Sequence, residues 1–160
     1  MKNSDVSDYV MNCAIELIKQ FEGCSLKAYL CPANIWTIGY GHTKCVKNGD
    51  VITFDKAEEL LKDDIYFLLK GLDRVEVFLT DNQKVALISL IFNIGQTNFL
   101  KSTLFKKLNK SDFLGASIEF DRWIYSKGKV LKGLQNRRKK EKKIFLSNKN
   151  ISNICKYPHS

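Results

Sequence analysis

Residues 21–43 read FEGCSLKAYLCPANIWTIGYGHT, and their texture decides the fold. Gly23, Pro32, Asn34, Gly39 and Gly41 punctuate the stretch, and Asn48, Gly49 and Asp50 follow it. Between these breaks lie short runs of β-forming residues: Lys27 to Leu30, Ile35 to Tyr40 and, further on, Val51 to Thr53. Runs of that length bounded by turn residues predict a small antiparallel sheet of two or three strands. Upstream, Val10, Cys13, Ala14, Leu17, Ile18 and Phe21 recur at three- and four-residue steps, which predicts a helix over Ser7 to Phe21 with one apolar face. Ser7 or Ser4 suits its start and Gly23 its end. Glu22 then falls at the C-terminal edge of an apolar-faced helix.

Downstream of Thr53 the pattern is helical throughout. Ala57, Leu60, Leu61, Ile65 and Leu68 keep a helical period that only Asp64 interrupts. Thr80 or Asp81 caps the next helix, whose Val85 to Phe92 stretch is apolar almost all round, the mark of a helix buried at the centre of a bundle. Asn93-Ile94-Gly95 ends it. Shorter helices are expected near Ser102 to Leu108 and Asp112 to Ile124, and a strongly basic one from about Gln135 to Leu146. The sum is an α+β architecture in one domain over 1–147. A sheet lobe spans about 24–53, a helical lobe about 54–147 plus the N-terminal helix, and a cleft between them is the natural binding site. Residues 148–160 are polar and aperiodic and are expected to form a loose tail.

The totals narrow the function classes. The chain has 160 residues, 44% apolar and 27% charged, the balance of a globular domain. No apolar run approaches the ~20 residues that span a bilayer. Met1 to Tyr9 holds two acids and no apolar core of a signal sequence, so synthesis in a cytoplasm is expected. The net charge of +9 favours polyanionic partners: nucleic acid, an anionic membrane face or a bacterial wall. Much of the surplus lies between Lys127 and Lys143, which also suits a solvated helix face. The five cysteines at 13, 24, 31, 45 and 155 are odd in number, and their spacing with two histidines fits no zinc pattern. Reduced thiols are expected, with no metal and no organic cofactor.

Glycoside hydrolysis needs a proton donor for the leaving oxygen, and usually a second group that activates water or attacks the sugar carbon. Burial beside apolar side chains disfavours a carboxylate anion and so favours a donor. Glu22 follows Leu17, Ile18 and Phe21, a fitting neighbourhood. A lone Glu at a helix end is more often simply solvated, so the wider string has to carry the reading.

Phe21-Glu22-Gly23, Leu26-Lys27-Ala28-Tyr29 and the run from Trp36 to Thr43 resemble the catalytic stretch of phage-type lysozymes, glycoside hydrolase family 24. That family reads Glu, eight residues, Asp, five residues, Thr, then a Gly-x-Gly-His turn. Asn82-Gln83, Phe92-Asn93-Ile94-Gly95, Ser102-Thr103 and Asn136-Arg137-Arg138 with Glu141 follow in the family's order. The resemblance implies a lysozyme-like fold. It also implies an endolysin that hydrolyses the β-1,4 bond between N-acetylmuramic acid and N-acetylglucosamine in peptidoglycan, breaking the wall and lysing the host. By the same resemblance Glu22 is the general acid, Thr37 holds the attacking water, and His42 and Arg137 orient the acid. Tyr29, Tyr40, Asn93 and Gly95 fall at substrate-binding positions. A monomer is implied, held in the host cytoplasm until a holin-type membrane lesion lets it reach the wall.

One position departs from the family: Cys31 stands where the aspartate belongs. A neutral thiol cannot act as a base, whereas a thiolate can, and an ordinary cysteine titrates near ~8.5. Three readings follow. Cys31 works as a thiolate, base or nucleophile; or Glu22 and Thr37 suffice; or the chain is a lytic transglycosylase, in which the sugar's own 6-hydroxyl attacks and anhydro-muramic products result. Oxidation of Cys31 is then expected to lower activity. Outside this family, the tract Arg137-Arg138-Lys139-Lys140 is basic enough to touch phosphates. No recognition motif accompanies it, so nucleic acid is not an expected partner. A non-catalytic wall-binding protein is the other alternative, and a basic C-terminal helix lying on an anionic wall or membrane is compatible with the enzyme. A Cys31–His42 nucleophile pair acting on peptide stems is opposed by the Glu-to-Thr string.

Overall fold

The computed structural model describes residues 2–151. Helix α1 (Asp8–Lys19) begins where Ser7 accepts the Val10 N–H, and its buried face carries Val10, Cys13, Ala14, Leu17 and Ile18. It ends at Gln20, earlier than expected, and Gly23 is not its cap. Glu22 therefore sits in the turn beyond the helix, its N–H still bonded to the Ile18 carbonyl at 3.0 Å.

Strands β1 (Ser25–Leu30) and β2 (Trp36–Gly39) pair antiparallel, with Tyr29 opposite Thr37, Leu30 opposite Trp36 and a bulge between Ser25 and Tyr29. The loop closes when Cys31 donates to the Ile35 carbonyl and Asn34 donates to the Cys31 carbonyl. Asn34 takes a left-handed φ of 58°, a conformation Asn tolerates better than most residues. The third expected strand is reduced to one bridge, Lys27 to Val51.

Helix α2 (Phe54–Leu72) is capped by Thr53, and α3 (Asp81–Ile94) by a reciprocal box in which Thr80 and Gln83 exchange bonds. Helix α3 is buried on every side from Val85 to Ile91, because it runs between α1, α2 and α7 (Lys132–Phe145). Gly95, at φ 87°, turns the chain out of α3 into α4 (Gln96–Lys101). Ser102 caps α5 (Thr103–Asn109), and Asp112 caps α6 (Phe113–Glu119). A 3-10 turn (Phe120–Arg122) and a small hairpin, β3 (Tyr125–Ser126) with β4 (Lys129–Val130), lead into α7. Sequence periodicity predicts neither α4 nor this hairpin; both are too short to show a period. Lys19 ties α1 to α2 through Glu58 at 2.8 Å, a hydrogen bond that pushes the ammonium up to about 12.

After α7, Asn82 donates to the carbonyls of Ser147 and Lys149, and Ile151 is buried. Within the tail expected from 148, residues 148–150 are exposed, with the Lys149 carbonyl bonded to Asn82, and Ile151 is buried; positions 152–160, including Cys155, lie outside the described residues. No helix among the described residues is long and apolar enough to cross a membrane.

Candidate active site

Glu22 lines a cleft of about 490 Å³ together with Tyr40, Gly41, Asp64, Asn93 and Gly95. The turn after α1 supplies the acid, the β2 end supplies Tyr40, and the α3 terminus supplies Asn93 and Gly95. Arg137 reaches Glu22 from α7: Nη1 donates to Oε1 at 2.6 Å. The guanidinium also lies over the Phe21 ring, 5.6 Å from its centroid.

Arg137 is itself fixed from behind. Its Nη2 donates to the Ser89 carbonyl at 3.0 Å and its Nε to Glu141 Oε1 at 3.2 Å. Ser89 Oγ donates to the same Glu141 oxygen at 2.7 Å, and Arg138 Nη2 does so at 3.0 Å. Arg138 Nε sits 2.7 Å from Glu141 Oε2 but off the line of a directed hydrogen bond, so that contact is an ion pair. Ser89 and Glu141 are fully enclosed and Arg137 and Arg138 nearly so. Burial pushes the Glu141 carboxyl up while the two guanidiniums pull it back. Of the basic tract, then, Arg137 and Arg138 are core residues and out of reach of phosphates. Lys139, Lys140 and Lys143 form the exposed face.

Cys31 and Thr37 meet on the β1–β2 hairpin. Thr37 is buried and its hydroxyl donates to the Ile35 carbonyl at 3.0 Å. Hydrogen bonding from the backbone at Ile35 and Ala33 draws the Cys31 thiol below the ordinary range. Neither residue is among those lining the Glu22 cleft, and neither is Tyr29, which stands 44% exposed on β1. His42 is occupied on both sides: Nδ1 lies 2.9 and 3.0 Å from the Asp64 carboxylate oxygens and Nε2 lies 3.0 Å from the Lys44 carbonyl. These contacts pin the 40–45 loop to α2, and neither partner is Glu22. Among the described residues Cys13, Cys24, Cys31 and Cys45 are free thiols.

The family model for phage lysozyme matches residues 19–141, from the end of α1 through Glu141. The chain belongs to the phage lysozyme family. This phage lysozyme is 51% identical over 138 residues to an endolysin of Acyrthosiphon pisum secondary endosymbiont phage 1, an alignment covering 82% of this chain and 93% of the relative. It is 41% identical to an endolysin of Bacillus phage PZA, covering 89% of this chain but 58% of that longer protein. Among solved structures it is similar to the muramidase domain of SpmX from Asticaccaulis excentricus. The TM-score there is 0.81 at 34% identity, and the alignment covers 89% of this chain and 98% of that one. The lysozyme-like α+β fold, with a small antiparallel sheet and a mostly helical body, is therefore this phage lysozyme's fold, and its activity is that of a glycosidase on peptidoglycan.

Sequence reading misses Asp64 and Phe67, which line the Glu22 cleft, and Ser89, which holds Arg137. Asp64 shows only as a break in an apolar period. Ser89 hides in an apolar run, and Phe67 is an aromatic on a helix otherwise read for its core positions.

Proposed function

We propose that this phage lysozyme cleaves the β-1,4 bond between N-acetylmuramic acid and N-acetylglucosamine by hydrolysis, with Glu22 as general acid. The observation that carries the reading is the Glu22 carboxyl on the cleft wall, gripped through one oxygen by a buried arginine. Glu22 gives its proton to the bridging oxygen as the bond to the anomeric carbon breaks. A water oxygen bonds to that carbon and its proton passes to the Cys31 sulfur, which the hairpin's hydrogen bonding favours as thiolate. In this reading Thr37 orients the sulfur and the water, Arg137 positions the acid, and His42 holds the loop that carries Tyr40 and Gly41. Tyr29, Tyr40, Asn93 and Gly95 bind the glycan.

The protein acts as a monomer, and the exposed lysines of α7 hold it to the anionic wall. It works on the wall of the bacterial host once the inner membrane is permeabilised. The deciding test is release of reducing sugar from purified peptidoglycan. Wild type is expected to release it and Glu22→Gln to lose the activity; a Glu22→Gln variant as active as wild type overturns the assignment.

A further inference from the structure

Helix α2 carries two exposed aromatics side by side in sequence, Tyr66 at 50% and Phe67 at 70% exposure. A lone exposed aromatic calls for no explanation. These two differ in where they point. Successive helical positions are turned about 100° from each other, and of the pair only Phe67 lines the cleft that holds Glu22. Lys70, one turn further on, places its ammonium 5.6 Å from the Phe67 ring centroid, and Lys62 sits 5.9 Å from the Tyr66 ring. In the same cleft, Asn93 and Gln96 supply amides.

A pyranose ring offers an apolar face of C–H bonds with hydroxyls and acetamides at its rim. A flat aromatic faces such a ring well, and nearby amides pair with its rim, the pattern of a site that buries one apolar surface and orients it with a few polar groups. We infer that Phe67 is a substrate-binding residue of this lysozyme, a stacking platform for an N-acetylhexosamine ring on the α2 side of the cleft. The inference rests on the proposed glycan cleavage. Tyr66, equally aromatic and nearly as exposed, takes no part.

Calorimetric titration with a soluble β-1,4-linked N-acetylglucosamine oligomer tests this without turnover, and KM against kcat on soluble glycan strands tests it with turnover. Phe67→Ala is expected to weaken binding and raise KM on the order of tenfold, with kcat changed less than twofold or so. Phe67→Trp is expected to keep both, Phe67→Leu to fall between, and Tyr66→Ala to match wild type. With so much of its side chain in solvent, Phe67→Ala should melt where wild type does. Oligomer affinity and KM in Phe67→Ala within twofold of wild type overturn the inference, as does an equal loss in Tyr66→Ala. Activity retained by Glu22→Gln strikes the acid assignment and leaves the oligomer titration to judge Phe67 by itself.

Discussion

In the proposed mechanism Arg137 sets where the Glu22 carboxyl points, because its guanidinium is bonded in the core as well as to the acid. Ser89 and Glu141 hold its other nitrogens in the core, so the bond to Glu22 Oε1 is preformed. Removing a positioned proton donor costs about a hundred- to ten-thousandfold, and Glu22→Gln is expected to lose kcat/KM on that scale while melting normally. Cys31 makes a second, independent prediction. Its thiol is held below the ordinary range by backbone hydrogen bonding, so thiolate is present at lower pH than for a free cysteine. The rise of kcat/KM with pH should therefore come at lower pH than the titration of an ordinary thiol. Cys31→Asp should move that rise down toward about 4, and Cys31→Ala should lose both the rise and most of the rate. A Cys31→Ala profile superimposed on wild type sinks the thiolate role.

At the scale of elements, the caps and the charged core set stability. Thr80 closes a reciprocal box at the start of α3, and Thr80→Ala should cost about 1 kcal/mol in chemical denaturation. Glu141→Ala leaves two buried guanidiniums without their shared carboxylate. A loss of roughly 3–5 kcal/mol is expected, seen as a drop in melting temperature on the order of 10 °C; a drop under 2 °C contradicts the network's role. The contrast explains what the sequence makes legible. Caps and periods are local, so α1, α2, α3 and α7 can be read from spacing, and so can the hairpin from Pro32, Asn34 and the glycines around it. The Arg137–Glu141–Arg138 cluster cannot, since a charged tract on a helix reads as a solvated face until a buried partner such as Ser89 is placed against it. Asp64 is hidden for the same reason: its partner, His42, is 22 residues away in sequence.

The whole molecule carries a strong positive charge. The +9 surplus includes the exposed α7 lysines, while the acid sits in a cleft between the hairpin lobe and α3. Attraction to an anionic wall weakens as salt rises. Retention of the inactive Glu22→Gln variant on purified walls should thus fall as salt rises from about 50 to 200 mM, and fall less steeply when Lys139 and Lys143 are both changed to Gln. Mass spectrometry of muropeptides released from purified peptidoglycan tests hydrolysis by Glu22 with the Cys31 thiolate as base. Hydrolysis predicts an intact N-acetylmuramic acid at each new reducing end, lost in Glu22→Gln, reduced in Cys31→Ala and recovered in Cys31→Asp. Anhydro-muramic ends from the wild type, formed equally well by Cys31→Ala, would contradict it.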